Sequence, residues 1–323
     1  MARPLGLYLH VPYCASICGY CDFNTYVAAL GDAGPRGHVD SLLAEIDLAA
    51  RSLDGDPREV STVFVGGGTP TLLGSAELVR LLRGVRERLP LAVEAEITTE
   101  ANPEGVDEAS LAELRAGGYT RVSIGMQSAA PHVLASLERR HTAGAAERAA
   151  RAARSAGFDH VSLDLIYGTP GESAGDWSRT LDAALSAGPD HISAYALIVE
   201  PGTRLGAAVA AGRADAPDPD VLAGRYEATD AALSAAGLEW YEISNWAAGR
   251  DSRSRHNDGY WSGGEWWGAG PGAHSTLGGV RWWNERSPRA WAQALGEGRS
   301  PEAGREIPDE DARRLERVML GIR

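Results

Sequence analysis

The stretch His10-Val11-Pro12-Tyr13-Cys14-Ala15-Ser16-Ile17-Cys18-Gly19-Tyr20-Cys21-Asp22-Phe23 holds all three cysteines of the 323-residue chain. An odd number of cysteines gathered in one loop is a poor disulfide framework, because stapling needs thiols spread over distant segments. The spacing is C-x3-C-x2-C. Three thiolates so placed bind three irons of a [4Fe-4S] cubane. Such clusters ordinarily take four cysteines, so a three-cysteine set leaves one iron without a protein ligand. The alternative is a structural zinc, with His10 as the fourth ligand.

Outward from the loop, strand-like and helix-like segments alternate. Strands are expected at Leu5–His10, Val60–Gly66, Glu94–Glu100, Arg121–Gly125, His160–Ile166 and His191–Ala196. Amphipathic helices are expected at Val39–Leu53, Ala76–Leu89, Glu108–Ala116, Ala143–Ala156 and Trp177–Ala187. This alternation reads as βαβ units around a parallel sheet. Six strands are fewer than a closed barrel needs, so the fold class is α/β, a partial (β/α)6 barrel.

The carboxyl ends of these strands carry the polar groups, on the face where barrel sites lie. The second ends in Gly66-Gly67-Gly68-Thr69-Pro70, where glycines let backbone approach a ligand. Glu100, Gln127 and Asp164 end or nearly end the next three, and Arg139 follows as a partner for a carboxylate. Tyr20 stands directly before the third cysteine, where an aromatic packs on a base, and Tyr8 lies six residues before the first. An open iron beside such a series suits chelation of the amino and carboxylate groups of S-adenosylmethionine. Singly, each polar residue is equally well a cap or a locally satisfied group.

Beyond residue 200 the texture changes. Residues 207–220 look like a surface excursion, Val221–Ala236 a helix, Glu239–Trp283 a small β-rich appendage, and Asp309–Gly321 a final helix. The expected division is therefore 1–200 for the partial barrel and 201–323 for a C-terminal region. A net charge of −13 argues against nucleic-acid binding. With no signal-like start and no long apolar run, a cytoplasmic protein without a transmembrane segment is expected, peripheral membrane contact staying open.

Taken together, YxHxPYCxxxCxYCDF, GGGTP, the ExNP strand end, SxGxQS and DLIYGxPG resemble the coproporphyrinogen oxidase-like radical S-adenosylmethionine family, from Leu7 to the C-terminus. The resemblance implies that Cys14, Cys18 and Cys21 are the cluster ligands. It implies that Tyr8, Tyr20, Gly67, Gly68, Thr69, Glu100, Gln127, Arg139 and Asp164 serve the cofactor S-adenosylmethionine. The oxidase branch carries a further cysteine two residues after the third, where this chain has Phe23, and a longer N-terminal extension. The heme-chaperone branch carries HNxxYW, present here as His256-Asn257-Asp258-Gly259-Tyr260-Trp261. That resemblance implicates His256 in heme binding, and a neutral imidazole is a good axial iron ligand. Tyr260, Trp261, Trp266 and Trp267 would offer flat apolar faces, with His274 a lesser ligand candidate. The alternative is that His256 orders the loop by hydrogen bonds and the aromatics form a small core. Ser254 stands where many relatives have a cysteine, and the chain ends where family members usually continue.

The expected function is thus a heme chaperone that binds heme, a [4Fe-4S] cluster and S-adenosylmethionine and passes heme to an acceptor, a respiratory hemoprotein. An electron donor such as flavodoxin or ferredoxin would serve the cluster. The alternative is oxygen-independent coproporphyrinogen III oxidase activity, a radical decarboxylation of propionates.

Overall fold

The computed structural model describes residues 3–27 and 34–322. Its strands are β1 (Leu5–Val11), β2 (Tyr13–Cys14), β3 (Tyr26–Val27), β4 (Val60–Gly67), β5 (Leu91–Ala101), β6 (Arg121–Gln127), β7 (His160–Tyr167), β8 (His191–Ala196), β9 (Glu239–Glu242), β10 (Asn245–Ala247), β11 (Glu265–Ala269), β12 (His274–Leu277), β13 (Val280–Asn284) and β14 (Glu302–Glu306). Its helices are α1 (Gly34–Ser52), α2 (Ser75–Arg88), α3 (Glu108–Ala116), α4 (Pro131–Ser136), α5 (Ala145–Ser155), α6 (Ala174–Ser186), α7 (Arg204–Ala210), α8 (Pro219–Ala235), α9 (Arg255–Trp261), α10 (Pro288–Gly296) and α11 (Glu310–Gly321).

The six strands expected from their apolar runs form the parallel series β1-β4-β5-β6-β7-β8. Both faces of this series are covered, so β1 and β6 are buried almost along their length. Leu7, Leu9 and Val11 share a core with Leu42 and Ile46 of α1 and with Val63 and Val65 of β4, all essentially inaccessible. Each such side chain contributes about 1.5–3 kcal/mol by leaving water. On α5 the buried stripe is Ala145, Ala146, Ala149, Ala150 and Ala153, short side chains on one helix face.

The C-terminal strands do not stand apart. β11 pairs in parallel with β1, and β12, β13 and β14 follow it antiparallel. At the other edge β10 pairs with β8, and β9 with β10. One twelve-stranded sheet results, with the partial barrel in its middle. Trp246, Trp267 and Trp291 join the same apolar core as Leu7.

Two stretches differ from expectation. The excursion at 207–220 begins as helix α7, whose N-cap Thr203 accepts from Gly206 N. The aromatic- and glycine-rich segment also contains helix α9, started by the Ser254 side chain accepting from Asn257 N. Capping supplies the local signal that composition hides. Among the described residues, no helix is long and apolar enough to cross a membrane.

Candidate functional site at the barrel mouth

After β1 the chain turns at Pro12 into β2, where Cys14 sits in a two-residue ladder with β3. The glycine turn after β4 is laced onto this lead-in: Gly68 N donates to Val11 O (2.8 Å) and Thr69 N to Tyr13 O (2.7 Å). A Cβ on Gly68 would lie 2.6 Å from Tyr13 O, so no larger residue fits there. Thr69 Oγ1 then reaches Cys14 Sγ at 3.8 Å.

Cys18 is held from the other side. Gly19 N donates to Leu137 O (3.1 Å), and Leu205 N donates to Gly19 O (2.8 Å). Arg139 donates through Nη1 to Cys18 Sγ (3.6 Å) and through Nη2 to Gly125 O (3.0 Å), while its buried Nε has no partner. Burial pushes the Tyr20 phenol up, the neighbouring Cys18 adds to this, and Arg139 opposes it. Burial likewise pushes the Cys14 thiol up to about 11. Any metal bound by this thiol would have to displace its proton, as metal binding does generally.

Two partly buried acids complete the rim. Glu100 accepts from Gly67 N at 2.9 Å, and Asp164 accepts from Ser123 Oγ at 2.9 Å. Burial, then the charge of Asp164, pushes Glu100 up to about 7. Burial pushes Asp164 up to about 6, against its hydrogen bonds to Ser123 and Ser193 and the charge of Arg139. Gln127 adopts φ +63°, a left-handed conformation unusual for a non-glycine residue, at the bulge where the β6–β7 register shifts.

Tyr8 lies deeper. Asn24 O can only accept, so His10 donates to it through Nε2 (3.0 Å), and His10 Nδ1 accepts from Tyr8 OH (2.8 Å). The hydroxyl of Tyr8 is thus committed to His10, and its ring stacks on Phe64. This arrangement also takes His10 away from the role of a fourth zinc ligand. Among the described residues no three His, Cys, Asp or Glu side chains converge as one ion would require. A cubane makes no such demand, because its thiolates bind separate irons.

Sequence reading missed two anchors of the loop. Asn24 Nδ2 donates to Pro271 O (3.0 Å) and Arg286 O (2.9 Å), tying the loop to the turn before β12 and to the segment after β13. Arg204 Nη2 donates to Ile17 O (2.5 Å), and Arg204 also pairs with Glu138. A Cβ on Gly272 would lie 2.7 Å from Asn24 Nδ2, but neither anchor has a local signature.

The HNxxYW residues lie elsewhere, at the amino-terminal end of the strands. His256 is 3% exposed, and both its nitrogens are engaged, Nδ1 with Thr62 Oγ1 and Nε2 with Tyr260 OH, each at 2.8 Å. Its ring stacks on Phe64, and burial lowers it to about 3. The cavity beside it holds about 20 Å³, far short of a macrocycle. Neither ring nitrogen is left for an iron. Of the aromatics expected around a heme, Tyr260 and Trp266 pack together edge-on, whereas Trp267 packs against Trp282. Adjacent residues of a strand face opposite ways, which parts Trp266 from Trp267. His274 is exposed, its ring stacked on Trp283.

Residues 8–184 match the Radical SAM superfamily model. The chain is 55% identical over 322 residues to the heme chaperone HemW of Mycobacterium tuberculosis, spanning 99% of this chain and 82% of that one. It is 38% identical over 274 residues to the heme chaperone HemW of Escherichia coli, 85% of this chain and 70% of the relative. Its structure is similar to coproporphyrinogen III oxidase (HemN) from Escherichia coli, a radical SAM enzyme. That match has TM-score 0.86 and 25% identity, over 99% of this chain and 76% of the other.

Proposed function

Because the chain belongs to the radical SAM superfamily and, within it, to the HemW heme-chaperone family, we propose that it carries heme to an acceptor hemoprotein. In this reading Cys14, Cys18 and Cys21 hold a [4Fe-4S] cluster at the barrel mouth. Residues 1–200 form the unit that binds cluster and S-adenosylmethionine, and residues 201–323 complete its sheet and serve the heme. The supporting observation is the convergence of Thr69 on Cys14 and Arg139 on Cys18 at the end of the sheet where Glu100 and Asp164 stand.

The residues suit the groups. The donor set is all thiol, with no fourth protein ligand in the loop. Bound there, the cluster supplies electrons and one iron open to S-adenosylmethionine. Arg139 balances thiolate charge, and its unpartnered Nε is free for a carboxylate. Gly67, Gly68 and Thr69 bring backbone close, and Glu100 and Asp164 accept from ammonium or ribose hydroxyl donors. Gln127 lines the same rim, Tyr20 packs beside the base, and Tyr8 acts through His10.

The test is anaerobic reconstitution followed by hemin loading and transfer to an apo-hemoprotein. Substituting any one of the three cysteines with alanine should abolish the cluster's absorbance and its EPR signal after reduction. Failure of the intact chain to bind or pass on hemin would sink the chaperone reading. The likeness to the oxidase favours a second one, decarboxylation of coproporphyrinogen III, which turnover under reducing conditions would reveal.

A further inference from the structure

An iron porphyrin needs an imidazole with an uncommitted nitrogen, a flat neighbour and a cation for its propionates. The chain has eight histidines. His10, His191 and His256 have both nitrogens engaged. His38 is buried against Tyr13 and Trp291 and bonds His10 O. His132 and His160 each give one nitrogen to a carboxylate, Asp176 and Asp190, and His141 has Nδ1 sealed from solvent; each keeps a second nitrogen, but none of the three has an aromatic ring packed against it among the described residues. His274 alone is exposed with neither nitrogen in a hydrogen bond or ion pair.

Its setting is a flat, open one. The sheet face that lines the barrel at Gly6 and Tyr8 continues across the register onto Trp266 of β11, then Thr276 and His274 of β12, then Arg281 and Trp283 of β13. The His274 and Trp283 rings stack at 5.9 Å, inclined by 29°. Gly304 makes this possible, because a Cβ there would lie 2.6 Å from the Trp283 ring. The exposed Arg286 donates through Nε to Asn24 Oδ1 at 3.4 Å, and its charge, together with the opposing charge of Glu306, reaches His274. Its backbone oxygen accepts from Asn24 and Tyr26 of the cluster loop.

We propose that heme iron is ligated by His274 on the open face of β12–β13, with Trp283 beside the macrocycle and Arg286 toward a propionate, and that His256 braces the barrel floor. The assignment rests on the heme-carrier reading above. A solvent-open site suits a carrier that must release its cargo. It also sets the heme at the rim of the cluster loop, joined through Asn24.

The experiment is hemin titration of the reconstituted chain, read by Soret absorbance and by EPR of the ferric iron, on wild type, His274→Ala and His256→Phe. Wild type should bind saturably. His274→Ala should bind at least about tenfold more weakly, with unchanged thermal unfolding, and free imidazole should restore the axial signature. His256→Phe should keep the wild-type Soret position. Wild-type binding retained in His274→Ala would overturn the assignment, as would a Soret shift lost only in His256→Phe. Absence of saturable binding by wild type would overturn the heme reading itself and the assignment with it.

Discussion

The two ends of the barrel treat buried polarity in opposite ways. At the floor, Arg121 and Glu96 form an ion pair (3.1 Å), each 2% exposed at the side chain. Arg121 also donates to Ser252 O (2.7 Å) and Arg253 O (2.8 Å), while Glu96 accepts from Arg255 N and His256 N at the start of α9. Helix α9 is thereby pinned under the strands, and Tyr260, His256 and Thr62 continue the network inward. At the mouth, two acids are pushed toward neutrality and Arg139 keeps an idle Nε. Each end keeps one idle guanidinium nitrogen, Arg121 Nη1 at the floor and Arg139 Nε at the mouth; what separates them is that the floor acid is hydrogen-bonded to a cation, whereas Glu100 and Asp164 accept only from neutral donors and are left for a ligand's charge.

The sharpest way to break this contrast is Arg121→Ala. It leaves Glu96 buried without its charge partner and frees two carbonyls. A loss of about 3–5 kcal/mol is expected from urea unfolding. A loss below about 1 kcal/mol would mean that the floor is not an ion-paired brace.

At the mouth the expected signature is in pH. Glu100 has its folded-state value raised to about 7 from the usual 4.5. Its protonated form therefore favours folding, an advantage full below about 4.5 and lost as pH rises through about 7. Glu45, Glu172 and Asp164 are raised into the same window, so Glu100 supplies up to roughly 3 kcal/mol of the fall in unfolding free energy of the apo chain, and Glu100→Gln should make the profile shallower by that share. A Glu100→Gln profile parallel to wild type would remove the claim.

His256→Phe measures the floor again. Thr62 Oγ1 and Tyr260 OH would each lose a partner in a buried site, a loss of about 1–3 kcal/mol in thermal or urea unfolding. An unchanged stability would mean that water or a rearranged hydroxyl takes over both bonds.

The ends also differ in how far they could be read from sequence. The mouth was legible because its groups recur at one kind of place. Cys14, Gly67, Glu100 and Gln127 each follow or end an apolar run and Asp164 stands near the end of one, and a parallel sheet brings such ends together. The floor was not. Asn257, Asp258 and Gly259 are weak helix formers, and α9 is held by Glu96, a residue with no periodic relation to it. Nor does any local pattern announce that Leu5–Leu9 pairs with Glu265–Ala269, since that register is set by tertiary packing. His256 was read by its motif, while its hydrogen bonds to Thr62 and Tyr260 belong to the folded chain alone.

The smallest effect separates support from ligation within the mouth. Ser123 Oγ is within 2.9 and 3.0 Å of the two Asp164 oxygens. This donor favours the carboxylate form against burial. Ser123→Ala should destabilise the chain by about 1 kcal/mol and raise Asp164 further above its ordinary range. Affinity for S-adenosylmethionine at neutral pH should then weaken and recover as pH rises, because the carboxylate is the form that accepts from ligand donors. A pH-independent loss of affinity would place Ser123 itself against the ligand, and no loss at all would leave Asp164 outside the binding set.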